Sequence, residues 1–224
     1  MHLYHKGLHN RFMAQWWNPQ ALLYFPYVRF LRSELAIPHF CVADIRSVSP
    51  QKLQGHGFRG VIFDKDNTIT APYVNEIYAT IADAFAAFQD TYGKRIVIMS
   101  NSAGTKDDWD HEDAKKIEDD LCITVLRHDR KKPGGIEAAL DYFDCKPSQL
   151  VMIGDRIFTD IVFGNRYGML TIHTALLTEE GDLGAAVKAR RYELALLERW
   201  KKQGKKAPAH PLYHEDICSI QLLS

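Results

Sequence analysis

The chain has 224 residues, of which 46% are hydrophobic and 25% charged, and its formal net charge is zero. This length suits one domain with a substantial core and short extensions, and the composition excludes wholesale disorder. The zero net charge argues against a protein that binds nucleic acid through its overall charge. No apolar run approaches the roughly 18 residues of a membrane-spanning helix, and no cleavable secretory signal is evident.

The first 33 residues combine basic and aromatic side chains and contain no acidic residue. This composition is typical of a segment that lies in a membrane interface. A helix that packs on the rest of the domain or on another subunit explains it equally well, and the two interpretations do not exclude each other. The residues concerned are Lys6, Arg11, Trp16, Trp17, Leu22, Leu23, Tyr24, Phe25, Tyr27, Arg29, Phe30 and Arg32.

From Phe58 onward, strand-like and helix-like patterns alternate, which predicts parallel strands joined by crossover helices. The β-branched run Gly60–Phe63 is typical of a central strand buried on both faces. The resulting fold class is α/β, a doubly wound parallel sheet. The other predicted strands are 95–99, 123–126, 150–153 and 170–173, and the predicted helices include about 77–88, 136–143 and 159–167.

The character of the chain changes after Gly181. Residues 183–203 suggest a helix with Leu183, Val187, Leu194 and Leu197 on one side, and eight basic residues fall between positions 188 and 206. Such a charge run is usually a solvated face, and binding to an anionic lipid or another acidic surface is the alternative. The sequence therefore predicts three regions: an N-terminal segment over 1–45, a core over 46–180, and a basic helix and tail over 181–224.

Two aspartates follow the first core strand, at positions 64 and 66. Ligands of open α/β sheets bind beyond the carboxyl ends of the strands, so Asp64 and Asp66 lie where a reaction would occur. Asp64 can attack phosphorus as a nucleophile, and Asp66 can protonate the leaving oxygen, a role worth about 10²–10⁴ in rate. Taken alone, the pattern favours a strand followed by an Asx-type turn.

Polar groups also follow two later elements. Ser100 and Asn101 come after the second core strand, where a hydroxyl and backbone N–H groups can hold phosphate oxygens. A lysine at position 132 can offset the charge of a transferring phosphoryl group. Lys131 is an alternative for that role, because the spacing of this motif is loose.

Asp155 and Asp160 complete the pattern after the strand at 150–153. Aspartates clustered beside Asp64 suit a hard divalent cation, and Mg²⁺ is the usual choice where phosphate is the partner. The alternative for Asp160 is an acid that stabilises the start of a helix.

These four motifs, at positions 64–66, 100–101, 131–132 and 155–160, occur in the order found in the haloacid dehalogenase superfamily. The chain resembles that superfamily over roughly residues 58–174. The resemblance implies that Asp64 is the nucleophile and Asp66 the acid/base. It also implies that Ser100 and Lys132 are the second- and third-motif residues. Mg²⁺ would be held by Asp64, Asp155, Asp160 and the backbone carbonyl of Asp66. The second acid separates this chain from the dehalogenases and ion-pumping ATPases and points to phosphoester hydrolysis.

A large cap domain looks absent, because the intervals 70–95 and 100–132 have room for little more than a flap, a helix and a strand. An uncapped site lies open to a bulky substrate such as a lipid head group, a protein or a nucleic-acid end. The predicted architecture is therefore a capless core with helical extensions at both termini.

Within the superfamily, the amino-acid sequences of the motifs resemble those of the mitochondrial phosphatidylglycerophosphate phosphatases and their bacterial relatives. The resemblance implies hydrolysis of phosphatidylglycerophosphate to phosphatidylglycerol, for cardiolipin synthesis, by a peripheral enzyme on the matrix side of the mitochondrial inner membrane. Its partner would be an anionic phospholipid, not nucleic acid. The matching runs are Phe-Asp-Lys-Asp-Asn-Thr, Met-Ser-Asn-Ser-Ala-Gly, Lys-Lys-Pro-Gly-Gly, Gly-Asp-Arg-Ile-Phe-Thr-Asp-Ile and the Asn18-Pro19 segment.

Two other hypotheses remain at this point. The chain could be a capless phosphatase for phosphoproteins or nucleic-acid ends, which the neutral charge and missing nucleic-acid motif weaken. It could also be a non-catalytic subunit that kept the fold, which the presence of every expected acid disfavours. A homo-oligomer is compatible with the sequence, which does not give the oligomeric state.

Overall fold

The computed structural model describes residues 18–182 and 184–213. The predicted membrane-interface segment therefore lies partly outside the described residues, since Lys6, Arg11, Trp16 and Trp17 precede residue 18. The same holds for Leu183 and for the end of the predicted tail after residue 213.

Six parallel strands form one sheet, in the order β1-β6-β5-β2-β3-β4. The predicted doubly wound α/β fold is therefore confirmed. The strands are β1 (Phe40–Val42), β2 (Gly60–Phe63), β3 (Ile96–Ile98), β4 (Thr124–Val125), β5 (Leu150–Gly154) and β6 (Leu170–Thr174).

Helices connect the strands and cover both faces of the sheet. Their bounds are α1 (Pro19–Phe30), α2 (Pro50–Gly55), α3 (Ala82–Tyr92), α4 (Glu112–Leu121), α5 (Glu137–Phe143), α6 (Val162–Tyr167) and α7 (Gly184–Lys202). The predicted start of α3 near residue 77 was too early, because Ile77 instead bridges to Thr70 in a small flap. Gly93 ends α3 with φ +52°, a backbone conformation that glycine adopts without the steric cost of a Cβ.

The two sheet faces have separate cores because side chains alternate along each strand. On β2, Val61 and Phe63 pack with α2, α3 and α4, whereas Ile62 packs with α5 and α6. A third cluster lies at the end of the sheet, where α1 and α7 pack on the irregular helical turn Ile157–Ile161. The two terminal helices are thus attached beside the carboxyl ends of the strands.

Strand β1 was not among the predicted strands. It pairs with β6 through the register Phe40↔Ile172 and forms one edge of the sheet, so the sheet extends into the segment assigned to the N-terminal region. Only three residues long and half exposed, it carries too little apolar pattern to be recognised.

The intervals that would hold a cap domain are short in the structure. Between β2 and α3 the chain forms only the flap, and between β3 and β4 it forms α4 and its flanking turns. The capless prediction agrees with this arrangement. Within the described ranges 18–182 and 184–213, no helix has both the length and the apolar character needed to cross a bilayer.

Candidate active site

The candidate site lies where the strand order reverses. In the sheet, β2 lies between β3 and β5. The chain runs from β2 to β3 and β4 on one side, and only then crosses to β5 on the other side of β2. Asp64 comes directly after β2 and its N–H donates to Ile153 O of β5 at 2.8 Å. Asp155 comes directly after β5. Such a reversal opens a crevice at the carboxyl ends of the strands, and both aspartates stand in it.

Three of the predicted metal ligands meet in this crevice. Carboxylate oxygens of Asp64, Asp155 and Asp160 all lie within 4.8 Å of one another. Gly154 permits this approach, because a Cβ at that position would clash with the carboxylate of Asp160. Asp155 Oδ1 is buried and has no hydrogen-bond partner among the described residues. A buried carboxylate oxygen without a donor, beside two other carboxylates, fits a hard divalent cation.

Lys132 is the lysine that reaches these carboxylates. Its side chain is fully buried, and its Nζ lies 2.6 Å from Asp64 Oδ1 and 2.7 Å from Asp160 Oδ1. The alternative candidate, Lys131, lies 2.7 Å from Asp107 Oδ2, which is half exposed on a neighbouring loop. The geometry therefore favours Lys132 over Lys131 as the lysine that pairs with Asp64.

Burial and neighbouring charges shift the pKa values of the cluster. Burial raises the pKa of Asp64 to about 6, against the opposing charge of Lys132. Burial also raises the pKa of Asp155 to about 7, against the opposing charge of Arg190. For Lys132, burial lowers the pKa, but Asp160 and Asp64 outweigh it and raise the value to about 12. A dication favours ionised carboxylates, so its binding near neutral pH would release protons.

The remaining predicted residues lie around this cluster. Asp66 Oδ1 accepts from Lys65 Nζ at 2.8 Å and from the N–H of Tyr73 at 3.2 Å, so its side chain is not one of the three clustered carboxylates. Ser100 Oγ accepts from the N–H of Ser102 at 3.2 Å. Asn101 Oδ1 accepts from the N–H of Lys132 at 2.8 Å, so this oxygen holds the lysine loop.

Comparisons with known proteins decide the family. The family model described as mitochondrial PGP phosphatase matches residues 27–177. The chain belongs to the mitochondrial PGP phosphatase family. The predicted resemblance is confirmed, and so is the assignment as a phosphatase.

Three relatives illustrate the likeness of this PGP phosphatase family member. Phosphatidylglycerophosphate phosphatase 1, chloroplastic, of Chlamydomonas reinhardtii is 45% identical over 83% of this chain and 70% of its own length. Phosphatidylglycerophosphate phosphatase 1, chloroplastic/mitochondrial, of Arabidopsis thaliana is 42% identical over 80% of this chain and 52% of its own length. The mitochondrial phosphatidylglycerophosphatase GEP4 of Saccharomyces cerevisiae is 38% identical over 49% of this chain and 63% of its own length.

Helix α7 contributes two charged residues to the site of this family member. Arg190 Nε donates to Asp155 Oδ2 at 2.6 Å. Glu193 accepts from the N–H of Ile157 at 2.8 Å and pairs with Arg156 at 2.6 Å. Asp155 and Arg156, which follow β5, thus each pair with an opposite charge on α7, and these pairs hold the helix against the loop after β5.

Sequence reasoning missed this role of α7. Arg190 belongs to the basic run that the sequence assigns to a solvated face, but both Arg190 and Glu193 are buried. The available signal was helical spacing, because positions 190, 193, 197 and 200 share one face and the last two are the buried Leu197 and Trp200. A charged pair in line with buried apolar residues indicates a partner in the core. The other basic residues of the run, such as Lys188 and Arg199, are exposed as predicted.

The cluster lies at the floor of a cavity of about 450 Å³. The sheet loops supply Asp64, Asp66 and Ser100, whereas α1 and α7 supply an apolar and aromatic wall. The residues of that wall are Ala21, Leu22, Phe25, Ala185, Ala186, Ala189 and Tyr192. The cavity therefore joins a polar, acidic floor to an apolar side, and terminal helices rather than a cap domain bound it.

Proposed function

We propose that this protein is a Mg²⁺-dependent phosphomonoesterase that converts phosphatidylglycerophosphate to phosphatidylglycerol through an aspartyl-phosphate on Asp64. The observation that carries the proposal is the Asp64 carboxylate, gathered with Asp155 and Asp160 and held by buried Lys132 beneath an open cavity. The names of the three relatives described above, all phosphatidylglycerophosphate phosphatases, support the substrate.

In the first step a carboxylate oxygen of Asp64 attacks phosphorus. The new O–P bond forms as the bond from phosphorus to the alcohol oxygen breaks, and Asp66 gives its proton to that oxygen. Lys132 neutralises part of the charge shared between Asp64 and the phosphoryl group. The products are the phosphorylated enzyme and the free alcohol, here phosphatidylglycerol.

In the second step water removes the phosphoryl group. The Asp66 carboxylate takes a proton from water as the water oxygen bonds to phosphorus and the Asp64–phosphorus bond breaks. Inorganic phosphate leaves, and both aspartates return to their starting states. Ser100, which lines the cavity, is proposed to bind a phosphoryl oxygen through its hydroxyl.

Asp64, Asp155, Asp160 and the backbone carbonyl of Asp66 are proposed to hold the Mg²⁺, which, when bound, offsets the negative charge of the phosphate oxygens. The unpartnered Asp155 Oδ1 supports this ligand set. Arg190 holds the other oxygen of the same carboxylate and thereby fixes its orientation.

A lipid substrate fits the arrangement of polar and apolar surfaces. Leu22 lines the cavity, yet its side chain is mostly exposed on the outer side of α1. It belongs to an exposed stripe of α1, formed by Leu22, Leu23, Tyr27 and Phe30 at helical spacing. The opposite side of α1 packs on the domain through Val28 and Phe25. An apolar surface that leads into the cavity suits a substrate whose acyl chains stay in a bilayer.

The exposed stripe of α1 is therefore proposed to rest on an anionic membrane surface, with the basic residues of α7 available to anionic head groups. Both sequence interpretations of this segment then hold, because one side of α1 packs on the domain and the other faces outward. The family model and the yeast relative carry mitochondrial names, which supports a mitochondrial location. The matrix face of the inner membrane is part of the proposal.

The substrate proposal predicts Mg²⁺-dependent phosphate release from phosphatidylglycerophosphate in vesicles. Turnover of a phosphopeptide and of a 3′-phosphorylated oligonucleotide should be far slower, because neither has an apolar body to occupy the wall of the cavity. Phosphate release from the three substrates is measured with and without Mg²⁺. Hydrolysis of the peptide or the oligonucleotide alone would refute the lipid assignment, and no release from any of them would favour a non-catalytic subunit.

If the exposed stripe of α1 rests on a membrane, the double substitution Leu23→Glu and Phe30→Glu should lower activity on vesicles by about tenfold or more. Two apolar side chains that would be buried in lipid are then replaced by charged ones. Activity on a soluble aryl phosphate should not change. Trp109→Glu is the matched control, because Trp109 is 86% exposed but lies beside the exposed Asp110, whose charge an anionic surface repels. Equal losses on vesicles and on the aryl phosphate would contradict membrane attachment through this stripe.

A further inference from the structure

One side chain joins helix α1 to the loop that carries Lys132. Asn18 precedes α1, and its Oδ1 accepts from the N–H of Ala21 at 3.0 Å as the helix N-cap. Its Nδ2 donates to the backbone carbonyl of Lys132 at 2.7 Å, across 114 residues of sequence. The two ends of one amide therefore serve two different elements.

Other contacts hold the same two elements together. A Cβ on Gly134 would clash with Oε1 of Gln20, so the first turn of α1 lies directly against the lysine loop. Arg166 donates to the carbonyl of Pro133 at 3.0 Å, and its guanidinium lies 4.4 Å from the centre of the Tyr24 ring. The loop after Lys132 is thus packed between α1 and α6.

The backbone of Lys132 is fixed on both sides. Its N–H donates to Asn101 Oδ1 at 2.8 Å, and its carbonyl accepts from Asn18 Nδ2. The Lys132 ammonium lies between Asp64 and Asp160 at 2.6 and 2.7 Å. At these distances a small displacement of the lysine backbone changes the charge compensation at the nucleophile.

We propose that Asn18 is a positioning residue for Lys132, and that through it the seating of α1 sets the geometry around the nucleophile. The helix whose outer side forms the exposed stripe thereby supports the catalytic lysine directly. The inference rests on the proposed function, because it requires Lys132 to act on the transferring phosphoryl group.

Substitutions can separate the two bonds of Asn18. Asn18→Ser and Asn18→Asp both keep a side-chain oxygen that caps α1, and both lack the Nδ2 donor. Asn18→Ala loses the cap as well. Asn75→Ser is the matched control for the Asn-to-Ser change, because Asn75 Nδ2 donates to the exposed Asp120 at 2.9 Å in a solvent-exposed contact.

The measurements are steady-state hydrolysis of p-nitrophenyl phosphate and the Tm of each variant. This soluble substrate does not require the exposed stripe of α1 to contact a membrane. Asn18→Ser and Asn18→Asp should lower kcat by about 10- to 100-fold with KM unchanged, as expected for a displaced group that acts in the transition state. Their Tm should fall by no more than the loss of one hydrogen bond, about 0.5–1.5 kcal/mol, accounts for, and Asn75→Ser should match the wild type in kcat.

Wild-type kcat in the serine and aspartate variants would overturn the inference. So would a pattern in which only Asn18→Ala is impaired and its kcat follows its Tm, because the role would then be capping alone. Asp64→Asn is measured in parallel to separate this inference from the proposed function. An inactive Asp64→Asn beside normal Asn18 variants defeats only the role of Asn18, whereas an active Asp64→Asn defeats the proposed mechanism.

Discussion

Asp64→Asn is expected to lower kcat by about 10⁴-fold or more, the scale of loss seen when an enzymatic nucleophile is removed. The amide has nearly the shape of the carboxylate but is a poor nucleophile, so no phosphoryl-enzyme forms. The measurement is phosphate release at saturating substrate and Mg²⁺, with recovery of ³²P on the protein as a direct test of the intermediate. Asp66→Asn should lower kcat by less, about 10²- to 10⁴-fold, because this substitution removes proton transfer and leaves the nucleophile in place.

Asp64→Asn should not destabilise the protein. Burial raises the pKa of Asp64 to about 6 from 3.8, so the native state holds more protons than the unfolded state between these values. Without divalent cations, this group therefore costs wild-type stability as the pH rises from about 4 to about 6. Asparagine has no such cost, and Lys132 keeps its pair with Asp160.

The expected Tm of Asp64→Asn at pH 8 without Mg²⁺ is thus equal to or above that of the wild type. Turnover near the wild-type rate would rule out the covalent mechanism. A markedly lower Tm would show instead that Lys132 depends on Asp64 for its burial, and the loss of activity would then reflect a damaged fold.

The predicted site residues were accessible from the sequence because each follows a strand or a helix with a strong local pattern. β2 and β5 are buried β-branched runs, and parallel strands bring their carboxyl ends to one edge. Asp64 and Asp155 therefore meet by topology, without any knowledge of side-chain packing. The superfamily order of the motifs then assigned Lys132 and Asp160 to the same edge.

The contributions of Asn18 and Arg190 were not accessible in the same way. Asn18 bonds to a residue 114 positions away, and Arg190 to one 35 positions away, through elements that the strand order does not place. Their partners are set by how α1 and α7 pack on the turn Ile157–Ile161. A polar side chain whose role depends on a hydrogen bond to a distant part of the chain leaves no periodic pattern in the sequence around it.

The choice between the two lysines also depended on burial that the sequence does not record. Lys131 and Lys132 are adjacent, yet one side chain pairs with Asp107 at the surface and the other is fully buried among carboxylates. The two lysines begin a turn that the N–H of Gly134 closes by donating to the carbonyl of Lys131 at 2.9 Å, so the geometry of this turn decides which lysine enters the site.

Lys132→Met should therefore have two large effects that Lys131→Met lacks. Loss of the ammonium leaves the buried carboxylates of Asp64, Asp155 and Asp160 with Arg190 as their remaining paired cation among the described residues. Breaking such a pair costs about 3–5 kcal/mol, or a fall in Tm of about 2–4 °C for each kcal/mol. Loss of charge compensation in the transition state should lower kcat by about 10²–10³.

The pH and Mg²⁺ dependence of the variant gives the sharper test. The pKa of Lys132 is raised to about 12 in the fold, so its contribution to stability is fully present below about 10.5 and absent in the variant throughout that range. Protonation of the carboxylates at low pH, or a bound dication, should restore part of the lost Tm. Lys131→Met should lower Tm by less than Lys132→Met does, because Asp107, the partner of Lys131, is half exposed and water solvates its charge when the lysine is lost. The reverse result, a stable and active Lys132→Met beside an impaired Lys131→Met, would move the catalytic role to Lys131.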